Sequence, residues 1–320
     1  MKNFWTRKKV LVTGGTGFIG SHMVDVLVER GALVTVAVSP KKKNRNIRHT
    51  LGYVLKDITV LFADLNQKED CISVTRGQDV VMNFAAMDGN ASFKRKYSAE
   101  IFATNTRIVL NMLEASRVNN IQRVLLMSSI DVYPKNAESP VKEECATWDV
   151  GAEGYVWSKR VSEIAARMYY EQYGLRVAIA RAGNVYGPRD SMAPDRRRVV
   201  PTFIHDALHG KPIEIWGNAQ STVTLLYVTD LIEALLSLTQ HYATSQPLNI
   251  CGSEEVTLFS LARTILLLTG RKDGVRYDRT KSVDVCKKLI DNRKAKKILH
   301  FKELVSLEEG LRKSIQFFKG

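Results

Sequence analysis

Nine residues, VTGGTGFIG (12–20), restrict the fold of this chain more than any other stretch. They close a β-branched apolar run, KKVLVTGG (8–15), and open a segment of helical periodicity, FIGSHMVDVLVERG (18–31), that ends at Gly31, a C-cap residue. Gly14, Gly17 and Gly20 have the spacing GxxGxxG. Such a turn brings backbone N–H groups and the positive end of a helix dipole to one point, where an anion fits. At the head of a strand–turn–helix unit, the pattern predicts that this loop holds the diphosphate of a dinucleotide, with Gly14, Thr16, Gly17, Phe18, Ile19 and Gly20 around it.

The same alternation continues downstream. ALVTVAV (32–38), ITVLFADL (58–65) and DVVMNFAA (79–86) read as strands. Long helical segments follow around Ser98–Asn119 and Tyr155–Tyr173, with the strand RVLLMSS between them, and RVAIARAGNVYGP (176–188) is a further strand running into a loop. Strands separated by helices imply a parallel sheet covered on both faces. The expected fold is α/β, a Rossmann-like doubly wound parallel sheet with a smaller C-terminal α+β lobe. Residues 1–188 form the dinucleotide-binding domain, and 189–320 form a mainly substrate-binding lobe, some of whose strands return to the first domain. In that lobe LLYVTDLIEALLSL (225–238) is helical in its second half and LEEGLRKSIQFF (307–318) is a helix.

Charge and cysteines narrow the class. The chain carries 47 Lys+Arg against 33 Asp+Glu, a net +14 over 320 residues. Basic runs lie at KKKNR (41–45), RRR (196–198) and 287–297. Without zinc-finger spacing or an RNP-like aromatic motif, this charge points to an anionic small ligand and not to nucleic acid. Cys71, Cys145, Cys251 and Cys286 lack CxxC spacing and neighbouring His clusters, so they read as free thiols, with no metal site. The apolar runs are too short to span a bilayer, and no signal-peptide pattern precedes the first strand, so a cytoplasmic protein is expected.

The end of the second strand should read the ribose. A carboxylate there would bind the 2′-OH and repel a 2′-phosphate, but the sequence is AVSPKKKNR, with Ser39 and Lys43 in its place. NADP is therefore favoured over NAD. Asp64, in FADL, is placed either to meet the adenine amino group or to cap the helix beginning near Asn66.

The chemistry concentrates in two later stretches. SSIDVYP (128–134) ends an apolar strand with two hydroxyls and a carboxylate, and GYVWSKR (154–160) stacks Tyr155 and Lys159 at i and i+4 on one helix face. An ammonium beside a phenol should lower the Tyr155 pKa toward neutrality, so that it exchanges a proton with an alcohol or ketone while a hydride moves.

With TGGTGFIG, ADL, NFAA, NTRIVLNMLEASR, SSIDVYP, YVWSK, RAGNVYGPRD, LLYVTDL, LNICGSEEVTL and LEEGL, the chain resembles the extended short-chain dehydrogenase/reductase family over almost its whole length. The branch is that of nucleotide-sugar epimerases, dehydratases and ketoreductases, nearest to GDP-fucose synthase and GDP-mannose epimerase-like members. The resemblance implies that Ser129 bonds the reacting oxygen and Tyr155 is the acid/base. Lys159 would hold the nicotinamide ribose, with Asn105 supporting that lysine. Leu65, Ala85 and Ala86 would join the cofactor site, and Asn184 would contact the substrate. It also implies a homodimer built on the two long helices, and a nucleotide-sugar substrate with GDP slightly favoured.

Four positions depart from the family pattern. Asp131 stands where members carry a reaction-specific Glu or Cys, and Ile130 precedes it where dehydratases tend to place a polar residue. Arg198 occupies the place of an acidic His or Lys, and could pair with Asp131 or grip phosphate. Val223 replaces the usual diphosphate-clamping Arg, leaving Arg189, Arg196–Arg198 or Lys287 to take over. The expected function is an NAD(P)-dependent nucleotide-sugar epimerase or 4-ketoreductase. A 4,6-dehydratase, a reductase of small carbonyl compounds and a dinucleotide-sensing binding protein are the alternatives.

Overall fold

Alternate residues of the central strands point to opposite faces of one sheet, and both faces are buried. Val10, Val12, Val34, Val36, Val80, Met82, Leu125 and Ala178 belong to one apolar cluster, while Leu11, Ala37, Val81, Val124, Leu126 and Ile179 belong to another. Burial on both sides is why these strands read as nearly continuous apolar runs. The computed structural model describes residues 3–41, 44–134, 136–147, 153–217, 220–272, 274–278, 280 and 289–320.

The elements in order are β1 (Lys9–Thr13), α1 (Phe18–Glu29), β2 (Leu33–Val38), α2 (Asn44–Leu51), β3 (Ile58–Phe62), α3 (Lys68–Thr75), β4 (Val80–Asn83), α4 (Ala91–Lys96), α5 (Ser98–Val118), β5 (Arg123–Ser129), α6 (Gly154–Tyr173) and β6 (Val177–Ala182). There follow β7 (Asn184–Tyr186), α7 (Val199–Leu208), β8 (Ile213–Trp216), β9 (Thr222–Tyr227), α8 (Val228–His241), β10 (Pro247–Ile250), β11 (Glu255–Thr257), α9 (Leu258–Thr269), β12 (Val275–Asp278), α10 (Arg293–Leu299) and α11 (Leu307–Lys319). Among the described residues the main sheet has seven strands in the order β10-β6-β5-β4-β1-β2-β3, and every pairing is parallel. The α/β, Rossmann-like expectation therefore holds.

One detail differs from the sequence reading. RVAIARAGNVYGP is two strands: β6 stays in the main sheet, and β7 pairs with β9 in a three-stranded sheet with β11. Gly183 lies at that break and packs tightly on β10's end, where a Cβ would lie 2.7 Å from the Cys251 side chain. The LNI segment returns to the main sheet as β10 beside β6, so that sheet reaches well beyond residue 188.

Because all seven strands run the same way, the loops after Thr13, Val38, Phe62, Asn83, Ser129 and Ala182 gather at one edge. Ligands of open α/β sheets bind at that carboxyl edge. No helix among the described residues is long and apolar enough to cross a membrane, and no described His/Cys/Asp/Glu group could hold a metal ion.

Candidate active site

The glycine loop is built around contact with its neighbour. Gly14 has φ +67°, and a Cβ on it would lie 2.7 Å from the Phe84 backbone, so only glycine lets the loops after β1 and β4 touch. The Thr13 hydroxyl completes the join, donating to Asn83 Oδ1 at 2.6 Å and accepting from the Ala85 N–H at 3.2 Å. Helix α1 then starts from Gly17, with Phe18, Ile19 and Gly20 in its first turn, where N–H groups have no intrahelical partner. This cradle fits a dinucleotide diphosphate. Gly14→Ala should cost about 1–3 kcal/mol of stability and weaken dinucleotide binding by about tenfold, or ~1.4 kcal/mol. Fluorescence titration and thermal melts check this, and wild-type affinity in the folded variant would overturn the cradle.

The other expected cofactor residues sit on the same edge. Ser39 follows β2, and its hydroxyl accepts from the Lys41 N–H at 3.4 Å; Lys43 lies outside the described residues, as does Lys287. Asp64 does not cap the following helix, which starts from Gln67. Its Oδ1 accepts from the backbone and side-chain amides of Asn66, and those bonds hold its carboxyl below the usual range. Leu65 is buried beneath it. Ala85, Ala86, Asn105, Met127 and Lys159 line one cavity at the ends of β4 and β5. Asn105 supports that cavity differently from expectation. It is paired twice with the Met87 backbone, at 2.7 and 3.0 Å, and so fixes the loop after β4, while Lys159 Nζ donates to the Met127 carbonyl at 2.7 Å.

Tyr155 and Lys159 come from the start of α6, and Gly154 lets that start lie against α5. A Cβ on Gly154 would fall 1.9 Å from the Ser98 carbonyl oxygen, and its N–H donates to Ser98 Oγ at 2.8 Å. Tyr155 is then 8% exposed, packed with Ile101 and Val156. Lys159 Nζ stands 5.6 Å from the Tyr155 ring centroid. Burial pushes the Tyr155 phenol up to about 12, with the Asp88 carboxylate adding to the rise and Lys94 opposing it. The expectation of a phenol lowered toward neutrality is therefore corrected: desolvation outweighs the neighbouring ammoniums. Lys159 moves the other way. Burial lowers it to about 8, opposed by Asp88 and reinforced by Lys94.

Ser129 ends β5, 8% exposed, and its Oγ accepts from the Asp131 N–H at 3.1 Å. Ser128 faces away, donating to Glu163 at 2.6 Å. The Asp131 side chain is 51% exposed in the cleft, and its ion-pair partner is Lys94 at 3.5 Å. Arg198, the residue preceding α7, feels the charges of Asp190 and Asp88 ahead of that of Asp131, whose ion pair is with Lys94.

Two expected substrate residues are engaged elsewhere. Asn184 Nδ2 donates to the Thr224 carbonyl at 3.2 Å. Arg189, at φ +66°, binds Asp25 at 2.5 Å and donates to His22 Nδ1 at 2.7 Å and the Tyr53 hydroxyl at 2.9 Å. That guanidinium is committed to α1 and is not free to replace the missing clamp. Burial and the Arg189 charge lower His22 to about 4, so His22 is neutral and donates from Nε2 to the Pro188 carbonyl. Val223 lies on β9, paired with Val256.

Lys94 and Asp88 are the site residues that sequence reasoning missed. Lys94 Nζ lies 3.5 Å from the Tyr155 ring centroid and 3.3 Å from Asp88. The one available signal was KRK (94–96), which reads as a solvated charge run.

Residues 10–251 match the family model described as the NAD dependent epimerase/dehydratase family. The chain belongs to this family. It is accordingly an enzyme of the extended short-chain dehydrogenase/reductase type, in a family of NAD-dependent epimerases and dehydratases. Among similar proteins, a dTDP-4-dehydro-6-deoxy-D-allose reductase of Streptomyces bikiniensis is 34% identical, covering 98% of this chain and 97% of the relative. A UDP-glucuronic acid decarboxylase 1 of Xenopus tropicalis is 32% identical over 98% of this chain and 72% of its own length. Among solved structures, the UDP-glucose 4-epimerase of Thermotoga maritima with UDP-glucose superposes with a TM-score of 0.87 at 27% identity, covering 97% of this chain and 98% of that one.

Proposed function

We propose that this family member is a 4-ketoreductase of nucleotide sugars, working in the cytoplasm as a homodimer with NADPH ahead of NADH. The observation that carries the reading is the gathering of Ser129, Tyr155 and Lys159 where the end of β5 meets the start of α6, in a chain 34% identical to a dTDP-4-dehydro-6-deoxy-D-allose reductase. Tyr155, raised to about 12, is a neutral phenol at neutral pH, and Lys159, at about 8, is mainly an ammonium. A neutral phenol is ready to give a proton, and reduction of a ketone needs a proton donor.

In this reading the Ser129 hydroxyl donates to the ketone oxygen and Tyr155 delivers the proton that turns it into an alcohol. Lys159 orients the ribose, while the N–H groups around Thr16, Phe18 and Ile19 hold the diphosphate. When bound, the dinucleotide supplies the hydride. Ser39 and Lys41, with no carboxylate at the end of β2, support the 2′-phosphate preference. The 34% likeness to a dTDP-sugar reductase supports dTDP over GDP as the nucleotide. Residues 189–320 would supply most of the sugar-nucleotide contacts, with Arg198 at the cleft. Exposed Phe102 and Leu110 on α5 and Met168 on α6 support a dimer face on the long helices.

The test is incubation with dTDP-4-keto-6-deoxyglucose and NADPH or NADH. The reductase reading expects nicotinamide oxidation matched by formation of a dTDP-6-deoxyhexose. Isomerisation with no net oxidation would replace it with an epimerase, to which the exposed Asp131 carboxylate would then contribute.

A further inference from the structure

Lys94 is held by the loop that leads into its own helix and by two segments distant in sequence. Its Nζ lies 3.3 Å from Asp88 in the loop after β4, 3.5 Å from Asp131 after β5, and 3.5 Å from the ring centroid of Tyr155 on α6. The side chain is only 16% exposed. A lysine solvating a surface helix extends into water, and gathering three charges into a half-closed cleft carries a desolvation cost. The arrangement places an ammonium directly on the ring of the proposed proton donor, in a cation–π contact.

We propose that Lys94 is a positioning residue for the Tyr155–Lys159 pair: its ammonium fixes the Tyr155 ring and sets the pH at which the pair exchanges its protons. This rests on the roles given above to Tyr155 and Lys159. The groups facing Lys159 are Asp88, Lys94, Glu163 and Asp131; those facing Tyr155 are Asp88, Lys94, Asp131 and Arg198. Asp190 stands beside Arg198 and acts on the cluster through it. Of the cations, Lys94 touches the Tyr155 ring most closely among the described contacts, at 3.5 Å against 5.6 Å for Lys159. A positive charge there favours the phenolate of Tyr155 and, as a like charge, disfavours the ammonium of Lys159. Removing it raises both groups.

The experiment measures NADPH and NADH affinity against pH in the full-length protein, by quenching of its intrinsic fluorescence. The Lys159 ammonium is present below its pKa and lost as pH rises through it, so wild-type affinity should fall as pH passes about 8. Lys94→Met should move that fall upward by about 1 pH unit or more. Lys94→Arg, which keeps the charge, should leave it near the wild-type position. Asp88→Asn removes a carboxylate that supports the Lys159 ammonium and should move the fall downward. In Lys159→Met the fall should vanish.

A Lys94→Met fall at the wild-type pH overturns the proposal, even if affinity drops, because a purely structural lysine would weaken binding without moving the titration. Persistence of the fall in Lys159→Met overturns it as well. These measurements need no sugar substrate. Failure to reduce any 4-keto nucleotide sugar would sink the reductase reading and leave the Lys94 test intact.

Discussion

Tyr155→Phe should lower kcat for ketone reduction by roughly 10²–10⁴-fold, the usual worth of a positioned general acid, and leave dinucleotide affinity nearly unchanged. The substitution removes one hydroxyl from a ring that keeps its packing on Ile101 and Val156 and its seat under Lys94. The fold and the cofactor cradle should survive, so the loss falls on the chemical step. The pH dependence separates the pair further. Burial raises Tyr155 to about 12 and lowers Lys159 to about 8, so the wild-type kcat/KM is expected to fall on the alkaline side through Lys159. The residual activity of Tyr155→Phe should therefore still fall near pH 8. Steady-state kinetics with single-turnover hydride transfer would decide the matter. A variant within a few-fold of wild type would mean that another group donates the proton.

The parts of this site that were legible in the sequence are those fixed by local geometry. The glycine loop needs a strand before it and a helix after it within one short segment, and the Tyr155–Lys159 pair needs only the i, i+4 spacing of a helix. Ser129 was legible because a buried strand that ends in hydroxyls contradicts its own apolar pattern. What stayed hidden depends on contacts between distant segments. Lys94 sits on α4, a helix of six residues, too short to show periodicity, and its meaning comes from Asp88, Asp131 and Tyr155. The raised Tyr155 pKa was hidden for the same reason, since spacing gives the nearest ammonium but not the depth of burial. Arg189 looked free in YGPRD, and only the fold reveals Asp25, His22 and Tyr53 around its guanidinium. A return of lobe strands to the first domain was expected, but that β10 is such a strand, beside β6, rests on a long-range pairing that no local pattern encodes.

Glu163→Ala should destabilise the protein by about 3–5 kcal/mol, the cost of leaving a buried charge without its partner. Glu163 accepts from Ser128 Oγ at 2.6 Å, from Arg181 Nε and NH2 at 2.8 Å each, and from Arg160 NH1 at 2.8 Å. Arg181 is 2% exposed and also donates to the Tyr133 hydroxyl at 3.0 Å and the Glu143 carbonyl at 2.7 Å. Tyr133 in turn donates to Asn249, whose backbone N–H bonds Glu143 Oε1 at 3.0 Å. One carboxylate thus closes a network that joins the end of β5, α6, β6 and β10 directly behind Ser129. Water cannot replace it for a guanidinium buried this deeply, so Arg181 would lose two charge-assisted bonds and keep its desolvation cost. In a thermal melt the variant should lose on the order of 10 °C, with Glu163→Gln losing less because it keeps acceptors in place. Replacing Glu163 and Arg181 together with Leu and Met should recover part of the loss, since it removes the Arg181 charge while Arg160 still loses its carboxylate partner. A Glu163→Ala melt at the wild-type temperature would show that the network does not stabilise the fold. A double variant no better than the single would show that hydrogen bonding, and not charge burial, sets its worth.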